Sequence, residues 1–66
     1  MFKLLLLVVN LQGQPTMIVD VGLSYDNKIA CEADASRATG MLERILEEKV
    51  GAGNLHVATH LCQQGA

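Results

Sequence analysis

Leu4-Leu5-Leu6-Leu7-Val8-Val9 decides the fold, because it is a run of six apolar residues with no polar side chain to mark an outer face. Periodicity alone does not separate helix from strand in such a run. Its neighbours do. The turn cluster Gln12-Gly13-Gln14-Pro15 follows, and then Thr16-Met17-Ile18-Val19-Asp20-Val21-Gly22-Leu23, whose β-branched content reads as strand. Two such runs joined by a Gly/Pro turn form a hairpin.

After the hairpin, Asp26 or Asn27 supplies an N-cap oxygen, and from Lys28 to about Val50 no proline or β-branched cluster interrupts a helix. The expected inward stripe is Cys31, Ala35, Ala38, Leu42, Ile45 and Lys49, with Met41 and Leu46 alongside. Gly51 is expected to end the helix as a left-handed cap, with Gly51-Ala52-Gly53-Asn54 as the loop. Leu55-His56-Val57-Ala58-Thr59-His60-Leu61-Cys62 alternates as a half-buried third strand does. The expectation is an α+β fold: a single ββαβ domain over residues 1–66, with a three-stranded antiparallel sheet in the order 2-1-3 and one long helix on one face. Strand one takes the centre because it alone is apolar on both sides.

Size and charge bound the function. A 66-residue chain buries only roughly 60% of its unfolded surface, so it needs a disulfide, a metal or a second copy to add stability. Seven acids and five bases leave a formal charge of −2 and no basic stripe, which argues against duplex DNA or RNA as partner. The amino-terminal apolar run is shorter than the ~7 to 15 residues of a signal-peptide core and the ~20 of a membrane span. A cytoplasmic protein is therefore expected ahead of a periplasmic or secreted one, with no membrane partner.

One helix covers one face of a three-stranded sheet, and the other face is left apolar along Leu4 to Leu11. Soluble monomers rarely expose such a patch. Homo-oligomerisation is the expected cover, through Leu4, Leu5, Leu6, Leu7, Val8 and Val9, by sheet-on-sheet packing or edge extension. The helix is nearly all small residues from Ala33 to Gly40. Ser36 and Gly40 there serve either tight packing on the chain's own sheet or a contact between protomers.

The polar residues suggest binding rather than catalysis. Cys31 and Cys62 are either bridged, as a staple for a small core, or free and buried. His56, His60 and Cys62 fall on one face of strand three, but the histidines stand about 13 Å apart and no closed metal site is expected. Neither Cys31 nor Ser24 has a base and an orienting group beside it, and no phosphate loop occurs, so no catalytic residue and no cofactor are expected. Asp20 is either an edge-strand charge that discourages sheet extension or a carboxylate lining an interface pocket. Arg37 and Arg44 share a helix face, with Glu48 placed to pair with Arg44, and arginines from adjacent copies can converge on phosphate or carboxylate.

Two apolar strands, Tyr25 before the helix, Cys31-Glu32-Ala33 in its first turn and a closing strand ending at Cys62 resemble a type of short bacterial and phage ββαβ protein. The resemblance implies no catalytic residues. Compact phage proteins of this size often act by stoichiometric binding, including oligomeric sponges that sequester nucleotide signals of host immunity. The expected function is thus a non-enzymatic homo-oligomer holding a small anionic, nucleotide-like ligand between protomers, near Arg37, Arg44, His56, His60 and Asp20. The competing expectation is an inhibitor or adaptor that offers its apolar sheet face or edge strand to another protein.

Overall fold

The computed structural model describes residues 1–51 and 53–65. Its elements are β1 (Phe2–Asn10), β2 (Pro15–Tyr25), α1 (Lys28–Val50) and β3 (Leu55–Gln64). The strands form one antiparallel sheet in the order β2-β1-β3, so the doubly apolar strand is central as its composition requires.

Local chemistry sets the junctions. Asn10 organises the hairpin turn: its Oδ1 accepts from the backbone N–H of Gln12 at 3.0 Å and of Gln14 at 2.9 Å. Asn27, rather than Asp26, is the N-cap, with its side chain accepting from Ala30 N–H at 2.8 Å. Gly51 ends α1 with a positive φ of 100°, yet its ψ of 148° is extended, so it is not the left-handed helical cap expected. Ala52, in the expected loop, lies outside the described residues.

Alternation divides β1 between two faces. Leu4, Leu6 and Val8 are buried beneath α1, where Cys31, Ala35, Ala38 and Leu46 meet the sheet. Ala35 and Ala38 are small enough to bring the helix backbone close to those branched side chains. Leu5 and Leu7 point to the opposite, uncovered face, with their register partners Asp20, Ile18, Leu61 and Thr59. The expected interface run therefore splits. Leu4, Leu6 and Val8 belong to the chain's own core, and Val9 is also buried, so none of these four is free to meet another protein.

Three features tie α1 to β3 among the described residues: the Cys31–Cys62 disulfide, a polar contact between the Glu32 carboxylate and the His60 Nε2 at 3.1 Å, and Glu43, whose Oε1 accepts from Val57 N–H at 3.3 Å. The helix leans accordingly, and its buried stripe turns towards β3. Leu46 is buried and Leu42 half-buried, while Met41, Ile45 and Lys49 of the expected inward set are exposed. Ser36 and Gly40 also lie exposed, and a Cβ added at Gly40 would meet no atom within 4 Å. Packing on the chain's own sheet is thereby ruled out as their role.

Bulges complete the sheet. Between Leu7–Thr59 and Val8–Val57 the register advances one residue on β1 and two on β3, leaving Ala58 as the extra residue. A wider irregularity in β2 surrounds Gly22, whose φ of 87° suits glycine and whose N–H donates to Asp20 Oδ1 at 2.9 Å.

The bridge closes a segment of 31 residues. In the loop-entropy model a closure of that length stabilises the fold by about 4 kcal/mol. Replacing both cysteines with alanine is expected to cost roughly that much in denaturant unfolding, and a reductant should lower the melting temperature of the native chain alone. Equal stability of the two chains would show that the bridge adds nothing.

Candidate functional site

The residues expected to gather an anion are placed apart. Register puts His56 opposite Val9 on the uncovered face, while His60, opposite Leu6, and Cys62, opposite Leu4, lie on the helix face. The expected single face for all three fails because Ala58 shifts the alternation by one residue. Cys62 is bridged, so it offers no thiolate. Among the described residues, no three His, Cys, Asp or Glu side chains converge as a metal site would need.

Arg37 is already engaged. Its Nε and Nη2 donate to Asp34 Oδ1 and Oδ2 at 2.6 and 2.7 Å, a bidentate pair across one helical turn. Tyr25 donates its hydroxyl to the same carboxylate, linking the end of β2 to α1. The Arg37 and Tyr25 hydrogen bonds hold the Asp34 carboxyl down to about 2, below its ordinary 3.8. The shared bond to Asp34 in turn raises Tyr25 and Arg37 above their usual values. His60 is likewise occupied by Glu32, and Arg44 has no ion pair within 4 Å among the described residues. The expected Arg44–Glu48 pair does not form. Asp20 sits on edge strand β2 with its carboxylate turned to the Gly22 amide, which gives it a local structural task.

The surface that remains unsatisfied is apolar. An open recess of about 330 Å³ on the uncovered face is lined by Leu5, Leu7, Ile18, Thr59, His60 and Leu61. Leu5 and Leu7 form its half-buried floor, and Ile18 and Leu61 stand at its sides, 68% and 55% exposed. His60 borders the recess from the edge while its imidazole meets Glu32. The leucine and isoleucine part of this lining excludes water around apolar matter, while the His60 imidazole is turned to Glu32. Ile18, Thr59 and Leu61 were absent from the expected site, although each alternates in sequence with a residue of the opposite face.

No protein-family model matches the chain, no curated protein is significantly similar to it, and no solved structure matches its fold significantly. No described helix is long and apolar enough to cross a membrane.

The Asp34 pair carries a pH signature. Because the folded carboxyl titrates below the unfolded one, its stabilisation is present above the ordinary value of 3.8 and is lost as pH falls towards about 2. Melting temperatures recorded across that interval should fall more steeply for the native chain than for Asp34→Asn. Parallel curves would show that the pair adds no stability.

Proposed function

We propose that this chain is a non-enzymatic binding protein that works by self-association, with the uncovered sheet face as its working surface. The observation that carries this reading is the contiguous apolar set Leu5, Leu7, Ile18 and Leu61, two of which are more than half exposed. Isolated surface leucines are ordinary, but a patch centred on the middle strand of a sheet is a place where protein meets protein.

The anion-holding version of this function has less support. Arg37 and His60 spend their charge or hydrogen bonds on Asp34 and Glu32. Arg44 lies on the helix and His56 across the sheet from it. An anion drawn to Arg37 would have to displace a bidentate carboxylate. An inhibitor or adaptor that presents the same face to a different protein uses the same chemistry, and becomes the reading if the purified chain does not associate.

The disulfide bears on where the protein works. A bridge with Cys31 fully buried and Cys62 nearly so fits an oxidising compartment better than the reducing cytoplasm expected from the apolar amino-terminal run.

Paired substitutions on the central strand test the working surface. Leu6→Ala should cost about 2 to 5 kcal/mol, because its side chain is buried under α1. Leu7→Lys, on the other face, should keep the native circular dichroism spectrum and lose association. Arg37→Ala should leave association intact, and a panel of cyclic and linear nucleotides should leave the melting temperature unmoved. A clear nucleotide-induced rise that Arg37→Ala abolishes would restore the anion reading.

A further inference from the structure

We infer that the partner on the uncovered face is a second copy of this chain, packed sheet on sheet as a closed two-fold dimer with both helices outermost. This rests on the self-association reading and specifies its geometry and number.

Charge distribution gives the first reason. Register places Lys3 and Asp20 on the uncovered face, and these are its formally charged strand residues among those described. One is positive and one negative, so the face is neutral as a whole. The formal charge of −2 therefore resides in the acids and bases between Asp26 and Lys49, on the loop and helix that cover the other side. Two copies meeting by their sheets bring neutral surfaces together and hold the net charge outside, whereas contact through the helices would oppose like charge.

Area gives the second. Three strands about 4.8 Å apart, of 9, 11 and 10 residues at ~3.3 Å rise, cover roughly 14 by 33 Å. Two such faces in contact remove on the order of 1,000 Å² of accessible surface, the threshold for a specific interface. The recess along Leu5 and Leu7, flanked by Ile18 and Leu61, lets side chains of the facing sheet interdigitate at the ~10 Å spacing of packed sheets.

The edges give the third, because they oppose the alternative of a continuous sheet. On β3 the Val57 N–H is taken by Glu43, Ala58 breaks the ladder, and α1 leans over the strand. On β2 the edge begins at Pro15, which has no N–H, and is irregular again beside Thr16 and around Gly22, with Asp20 between. Bulges, proline and charge are devices that blunt an edge against further strands. With both edges blunted, neither edge offers a place to add further strands, and face-to-face contact closes at two.

Light scattering and sedimentation of the purified, oxidised chain at micromolar concentration test this. The expected mass is twice the 7.1 kDa of one chain, independent of concentration over a tenfold range. Leu61→Glu and Ile18→Glu alter side chains already more than half exposed, so each should keep the native dichroism spectrum while weakening the dimer at least tenfold. A 7.1 kDa monomer would overturn both the dimer and the self-association reading. Species that grow with concentration would overturn the closed dimer and leave self-association standing. A dimer indifferent to both glutamates in folded protein would reject this face as the contact.

Discussion

The covalent tie between Cys31 and Cys62 is the constraint on which the arrangement of this domain depends. It joins the first turn of α1 to β3 at the level of Leu4, so the helix starts over one side of the sheet rather than above its centre. Glu32 and Glu43 hold that lean at two further points, through His60 and the Val57 amide. Among the described residues, the opposite flank has one polar tether, Tyr25 to Asp34, braced by Arg37. That imbalance explains why Met41 and Ile45 are uncovered on a helix whose period would bury them over a centred sheet. The helix contributes Cys31, Ala35, Ala38 and Leu46 to the core, and the strands contribute Leu4, Leu6, Val8, Val9 and Cys62.

Much of this architecture was legible in the sequence because it depends on short-range signals. The run from Leu4 to Val9 could be satisfied only in the middle of a sheet, and the Gly13–Pro15 turn and the Asn27 cap set the element boundaries around it. What escaped were effects that act across the fold. The lean of α1 exchanges Ile45 for Leu46 in the core, and helical periodicity alone does not register a tilt. One extra residue in β3 separates His56 from His60 and Cys62, and Ala58 has no feature in the sequence that marks it as a bulge. The interval from Arg37 to Arg44 suggests a shared anion-binding face, but Asp34, three residues before Arg37 at ordinary helical pairing distance, takes its guanidinium. Of the candidate site, Leu5 and Leu7 were recognisable from the central strand. Ile18 and Leu61 join them only through register.

Polar groups in this domain serve construction. Asn10, Asn27, Asp20, Asp34 and Glu43 each accept a hydrogen bond that shapes a turn, caps a helix, supports a bulge or restrains an edge. Among the described residues Arg37 is ion-paired while Lys3, Lys28, Arg44 and Lys49 are not, so free charge remains on the surface beside the apolar sheet.

Ala58 also shapes how this chain can tolerate change over evolutionary time. Because it is the supernumerary residue of β3, the strand's sidedness is counted without it: Val57 faces inward opposite Val8 and Thr59 outward opposite Leu7, as consecutive residues of a regular strand do. Loss of that one codon would remove the bulge and leave each neighbouring pair, and the face of each side chain, as it is. Most replacements at this exposed position leave that parity untouched. Descendants of this sequence should therefore drift freely in the identity of residue 58 and tolerate its loss, whereas an added position between Leu55 and Cys62 would turn part of the strand over.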